Sequence, residues 1–184
     1  KYGDEIDTSV TNPNNYKVDT FSGIHSGHYG DLVGTIFLPP EDYYVMYPKF
    51  KNDQTCNVVH RDVTRTGTFY DAVIDKSFLD NTQVHGMYGA YIGGDFTLVE
   101  HYSNTAKTDE TVLLFIDSFG TIPESFLTTA YKRVIAVDKR WVLRNGWDTT
   151  AVQYVEKYDA DHVIVMYNPN QLIGKSEQFD FGIE

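Results

Sequence analysis

Val112-Leu113-Leu114-Phe115-Ile116-Asp117-Ser118-Phe119-Gly120 is the stretch on which the fold turns. Its apolar run has the length of a strand. Hydrophobicity that is continuous rather than alternating requires both faces of that strand to be covered, as in a parallel sheet flanked by helices. Beyond it, Ile122, Phe126 and Ala130 recur at helical spacing. Val134-Ile135-Ala136-Val137 is a second apolar run. Ala151, Val155 and Tyr158 mark one face of another helix, with Asp148, Thr149 and Thr150 as capping candidates. Val163-Ile164-Val165-Met166-Tyr167 is the third run. Strand and helix alternate, and right-handed crossovers make the three strands parallel.

Upstream, strand and turn signals dominate. Residues 1–20 are polar and include the turn-forming Asn12-Pro13-Asn14-Asn15. Residues 21–31 are broken by glycine and histidine and read as lying outside any regular element. Residues 33–38 read as a strand stopped by Pro39-Pro40, and 43–47 as one stopped by Pro48. Residues 56–63 and 66–70 pair plausibly as a hairpin, and 96–102 form a further strand. There is no internal repeat and no linker. The expectation is one domain over 1–184: a β-rich, loop-rich portion over 1–108, then the β-α-β-α-β portion over 109–184.

Composition narrows the function classes. With 41% hydrophobic residues the chain can bury a core. Fifteen Lys and Arg against 26 Asp and Glu leave a net charge of −11, which repels phosphate backbones and disfavours nucleic acid as a partner. The single cysteine, Cys56, permits neither an internal disulfide nor a cysteine-based zinc site. No apolar run approaches the roughly 18 residues that cross a bilayer. The start at Lys1, without an initiator Met or a signal-peptide pattern, is the start expected of a processed product or a fragment.

Open parallel sheets place ligand sites at the carboxyl ends of their strands. That rule selects Asp117-Ser118, Asp138-Lys139-Arg140 and Asn168-Pro169-Asn170. Ser118, between strand and helix, has the placement of a nucleophile beside an electropositive helix start, where backbone N–H groups can hold an oxyanion. Alternatively it caps the helix. Arg140 is either a clamp for a substrate oxygen or an ion-pair partner of Asp138. Asn168 can donate its amide to a substrate or serve as a turn residue before Pro169. Ile92-Gly93-Gly94-Asp95 is a tight turn whose glycines allow close backbone approach. His25-x-x-His28 with Asp31 imitates metal-ligand spacing, but a loop with these residues is a weak signal and no metal is expected. His60-Arg61-Asp62 falls inside an expected strand, where His60 and Asp62 share a face. His85, His101 and His162 are isolated and read as structural or solvent-facing. Trp141 and Trp147 either stack on a sugar or pack under a loop.

The second half resembles the DHHW proteins, which belong with the SGNH-hydrolase-like superfamily and are related to the alginate O-acetylation proteins of bacterial envelopes. The resemblance is carried by the 112–119 strand with its Asp-Ser-aromatic turn and by Pro123, Phe126 and Leu127 in the following helix. Residues 134–141 match a strand ending in aspartate-x-arginine-aromatic, and 161–168 a strand ending in tyrosine-asparagine. Upstream, Phe21-Ser22-Gly23 and Tyr91-Ile92-Gly93-Gly94-Asp95 also fit, although the family often has Asn where this chain has Asp95. The ordered set covers about residues 20–172.

The resemblance implies an α/β, SGNH-like (flavodoxin-like) three-layer fold with a parallel sheet. It implies a serine esterase or O-acyltransferase acting on carbohydrate or an acylated cell-envelope polymer, extracytoplasmic and needing no cofactor. Ser118 would be the nucleophile, and Gly94, Asp95, Arg140 and Asn168 the oxyanion or substrate-binding residues. The family's histidine and its orienting aspartate lie in an Asp-x-His motif upstream of the serine. No Asp-x-His occurs in the 184 residues. The expectation is that this chain is the C-terminal portion of a longer protein, with the base, and any membrane anchor, in a segment before Lys1. His25 and His28 are the possible substitutes within the chain. The competing expectations are a non-catalytic polysaccharide-binding or envelope-assembly module on the same fold and, last, a flavodoxin-like phosphate binder. The latter calls for a glycine-rich loop where only Gly120 is present.

Overall fold

The computed structural model describes residues 8–25, 34, 37–80 and 87–169. Two sheets organise them. The smaller is an antiparallel ribbon of β1 (Tyr16–His25) and β2 (Glu41–Pro48). The larger has six strands: β3 (Gln54–Val58), β4 (Val63–Gly67), β5 (Leu98–Ser103), β6 (Thr108–Ile116), β7 (Tyr131–Val137) and β8 (His162–Met166), in the order β4-β3-β5-β7-β6-β8. The described residues also form four short α-helices, α1 (Phe69–Ala72), α2 (Thr121–Leu127), α3 (Lys139–Arg144) and α4 (Ala151–Tyr158), and several single 3-10 turns.

The expected β-α-β-α-β unit is present as β6-α2-β7-α3-α4-β8, and its three strands are parallel. The sheet as a whole is mixed, not parallel, because β3, β4 and β5 join antiparallel to one another and β5 joins antiparallel to β7. The cause lies in residues 104–107. Four residues can pass the end of β7, which lies between β5 and β6 in the sheet, but cannot run back the length of a strand, so β5 and β6 run in opposite directions.

Continuous hydrophobicity in β6 and β7 has the expected physical basis. Val112, Leu114, Ile116, Val134 and Ala136 enter one apolar cluster with Ile122 and Phe126 of α2. The alternate residues Leu113, Phe115, Ile135 and Val137 enter a second cluster with Val142 of α3 and Ala151, Tyr154 and Tyr158 of α4. Each face of these strands is therefore dry. The chain leaves β6 toward one face and β7 toward the other, which opens a crevice between their carboxyl ends.

Other expectations change. Residues 21–25 belong to β1; only Tyr16 and Ile24 of β1 are buried, so pairing with β2 rather than burial makes this segment a strand. His60-Arg61-Asp62 lies in the turn joining β3 to β4, with Asp62 at φ 52°, so His60 and Asp62 do not share a strand face. β4 stops at Gly67, and Phe69 and Tyr70 start α1 instead of extending the hairpin. The 33–38 strand falls largely outside the described residues; Phe37 and Leu38 lie in a turn.

Candidate active site

The crevice is built around Asp117. Its carboxylate follows β6 and is buried. Oδ1 accepts the Phe119 N–H at 2.9 Å, and Oδ2 accepts the Asn168 N–H at 2.7 Å. Its carbonyl accepts the Gly120 N–H at 2.9 Å. One acidic side chain thus shapes the turn after β6 and ties it to the chain leaving β8, through charge-assisted bonds to backbone donors. Gly120 lets the turn fold back on its own strand: a Cβ there would lie 2.4 Å from Ile116 Cγ2.

Ser118 occupies the apex of that turn and is partly exposed. Among the described residues its hydroxyl makes no hydrogen bond, and its N–H has no acceptor. It is not the cap of α2: the N-cap is Gly120, and no side chain bonds the helix start.

Asp138 ends β7 and caps α3, its Oδ1 accepting the Arg140 N–H at 2.9 Å. The Arg140 guanidinium folds back on the same carboxylate, with Nε 3.0 Å from Oδ1 and Nη2 2.5 Å from Oδ2. Arg140 is therefore an ion-pair partner of Asp138, and it also reaches Asp95 Oδ2 at 3.5 Å. Asp95 arrives because β5 is antiparallel to β7, which sets Leu98 opposite Val137 and puts the entry to β5 beside the exit of β7. Tyr88 donates its hydroxyl to Asp95 Oδ2 at 3.3 Å, while Asp95 Oδ1 is buried without a partner. Burial pushes the Asp95 and Asp138 carboxyls above their ordinary range, against the opposing pull of Arg140.

The loop that delivers Asp95 runs through consecutive left-handed residues: Ile92 at φ 72°, Gly93 at 108° and Gly94 at 123°. A β-branched residue at such a φ is strained. Ile92 is held there from both ends: its N–H donates to the Val73 carbonyl at 2.7 Å, and its carbonyl accepts from Arg65 Nη2. At Gly93 a side chain would also press on Asp75 Oδ2, 2.8 Å away.

Behind the crevice lies a pair that the sequence did not single out as a pair. Glu124 of α2 and His101 of β5 face each other with Oε1 and Nε2 3.5 Å apart, both fully buried. Burial pushes the His101 imidazole down to about 3 and the Glu124 carboxyl well above its ordinary range. Burial thus disfavours the charged form of each partner.

The structure brings Ser118, Asp95, Arg140 and Asn168 to one edge, with Gly94 in the adjoining loop. His25 is elsewhere, at the end of β1 with its ring 5.7 Å from that of Tyr43, and no bond or ring contact joins it to Ser118. His28, Asp31, His85 and Asn170 lie outside the described residues. Trp147 packs against the second apolar cluster, and the Arg144 guanidinium covers Trp141 at 4.9 Å.

No family model matches this sequence, and no match is found among curated proteins. Solved structures do match. Bacillus cereus PatB1 aligns with 92% of this chain at 18% identity and a TM-score of 0.65; the same protein with a sulfonyl adduct gives 92%, 18% and 0.67. A DHHW family protein from Eubacterium siraeum DSM 15702 aligns with 91% at 17% identity and a TM-score of 0.61. The chain spans about half the length of these structures: 53%, 52% and 52% of them respectively. At such identities the likeness is one of fold: the chain shares the fold of about half of PatB1 and of the DHHW family protein.

Proposed function

We propose that the chain carries the nucleophile half of a serine esterase or O-acyltransferase acting on carbohydrate or an acylated cell-envelope polymer outside the cytoplasm. The supporting observation is the placement of Ser118: an unbonded, partly exposed hydroxyl at the mouth of the β6–β7 crevice, on a turn clamped by Asp117. The fold neighbour solved with a sulfonyl adduct supports the same reading, since sulfonyl electrophiles are captured by activated nucleophiles.

In this reading Ser118 Oγ attacks the acyl carbon, and its proton passes to a histidine base. The oxyanion is taken by the N–H groups of Ser118 and Gly94. Collapse expels the sugar hydroxyl, which regains the proton, and leaves an acyl-serine. Water or an acceptor hydroxyl then takes the acyl group. We place the base in an Asp-x-His segment outside these 184 residues, with His25 and His28 as the alternatives within them. Arg140, oriented by Asp138 and Asp95, offers its remaining guanidinium N–H groups to a substrate oxygen, and Asn168 flanks it. Asp117 is a positioning residue.

One observation favours the second reading, a non-catalytic carbohydrate-binding module: the Arg140 charge is already taken up by two carboxylates. Ester turnover separates the two. Under the first reading Ser118→Ala lowers turnover of an acetylated glycan to background in the intact natural polypeptide. Turnover that survives the substitution contradicts Ser118 as the nucleophile, and no turnover in either protein leaves the binding module.

A further inference from the structure

Away from the crevice, the chain between β2 and β3 crosses the start of α1 and leaves an open cavity of about 320 Å³. Its wall comes from Tyr47, Phe50 and Tyr70, and its rim from Lys49, Lys51 and Thr68. The cavity is fixed by Asn52, whose Oδ1 accepts the Phe69 N–H while its Nδ2 donates to the Phe50 carbonyl at 2.7 Å. Tyr47 and Tyr70 meet with ring centroids 4.7 Å apart, and the Tyr47 hydroxyl is held by Asp19 at 2.7 Å. The aromatic wall is thus set by packing and bonding before any ligand arrives. On its inner side Phe69, the neighbour of Tyr70, packs on Phe126 of α2 at 5.1 Å.

The charge at this cavity differs from that of the molecule. The chain carries −11 overall, yet four lysines gather here. Lys17 lies over the Tyr47 ring and pairs with Asp19; Lys76 lies over the Tyr70 ring and pairs with Asp71. Among the described residues Lys49 donates only to the Asn14 carbonyl, and Lys51 has no partner. Two ammonium groups therefore stand beside an aromatic wall with no carboxylate paired to them among the described residues.

We propose that this cavity is a subsite for an acidic carbohydrate, whose ring lies against the tyrosine and phenylalanine rings while its carboxylate or phosphate takes Lys49 and Lys51. Aromatic faces suit the C–H face of a sugar, and ammonium groups supply the point charges that an oxyanion needs. The net charge sets this apart from a nucleic-acid groove, because a polyanion would meet repulsion from the rest of the surface. The proposal rests on the carbohydrate reading above and narrows it to a charged glycan.

The test is calorimetric titration of the full chain with tetragalacturonate, glucose 6-phosphate, neutral cellotetraose, inorganic phosphate and oligothymidylate. One or both acidic sugars are expected to saturate. Binding should weaken about tenfold in the Lys49→Gln/Lys51→Gln double variant and further in Lys49→Glu/Lys51→Glu. These side chains are exposed, and unchanged melting temperatures verify folding. Cellotetraose should bind more weakly than the acidic sugars. A preference for tetragalacturonate identifies the carboxylate source, and one for glucose 6-phosphate the phosphate source. No saturation by either acidic sugar, indifference to the lysine variants, phosphate or cellotetraose binding as tightly as the sugars, or tighter oligothymidylate binding overturns the subsite. Ser118→Ala should bind as wild type does. Loss of the subsite with Ser118-dependent turnover intact sinks this inference alone, and retained binding with Ser118-independent turnover sinks the catalytic reading alone.

Discussion

Asp95 is where a residue-level departure has the sharpest chemical consequence. A resembling family often has an amide there, and a buried carboxyl behaves as its amide analogue only while protonated. Burial raises the Asp95 carboxyl, so its neutral form extends to higher pH than usual, and above that range a carboxylate faces any oxyanion at Ser118. Asp95→Asn should therefore leave kcat/KM on an ester substrate unchanged at low pH and raise it about tenfold once wild-type Asp95 ionises; a variant-to-wild-type ratio constant with pH contradicts this. Glu124 yields a second pH expectation. Its carboxyl is raised in the folded state, so its contribution to stability is complete below its ordinary value of 4.5 and is lost as pH rises toward the folded value. His101, depressed to about 3, acts oppositely and only between 6.5 and that value. In thermal melts Glu124→Gln should gain on wild type as pH rises above 4.5, by at most about 1.4 kcal/mol per pH unit; a difference independent of pH would mean that Glu124 is charged in the fold. The sequence placed Ser118, Arg140 and Asn168 at strand ends by rule. It did not reveal the Glu124–His101 contact, because the two lie on elements whose pairing no local pattern encodes.

Among elements, those that bury whole faces were legible and those held by their neighbours were not. The runs at 112–116 and 134–137 announced β6 and β7. The start of α4 was legible as one of Asp148, Thr149 and Thr150; Thr150 is the cap, accepting the Gln153 N–H while the Gln153 side chain accepts the Thr150 N–H. Thr150→Ala should lower stability by about 1 kcal/mol in denaturant melts without altering Ser118 chemistry; a change under a few tenths would show that packing of Tyr154 and Tyr158 alone sets this helix. The six-residue α3 escaped notice because only Lys139 and Val142 in it are buried, too few to mark a face. β1 escaped because only Tyr16 and Ile24 in it are buried, too few to mark a face.

At the scale of the molecule, mixed strand direction does what a wholly parallel sheet would not: it returns the β5 entry to the edge where β6, β7 and β8 end, and so carries Asp95 to Ser118's side. Residues 104–107 held that information in their shortness. The β1–β2 ribbon is attached by Ile24 and Val45 in the first apolar cluster and by Tyr91, whose hydroxyl donates to the Met46 carbonyl at 3.0 Å and accepts its N–H at 2.8 Å. Such a ribbon should open before the sheet does. Hydrogen exchange is expected to find β6 and β7 amides the most protected and β1–β2 amides exchanging at lower free energy; equal protection would make the ribbon part of the central cooperative unit. The acidic surface and the lysine-rimmed groove divide the molecule's charge, and the crevice at Ser118 concentrates its chemistry. The most direct measurement is mass spectrometry of the intact natural polypeptide after treatment with a sulfonyl fluoride. The expected result is one adduct, mapped to the peptide containing Ser118 and absent from Ser118→Ala. An unlabelled Ser118, or labelling that persists in Ser118→Ala, contradicts the nucleophile.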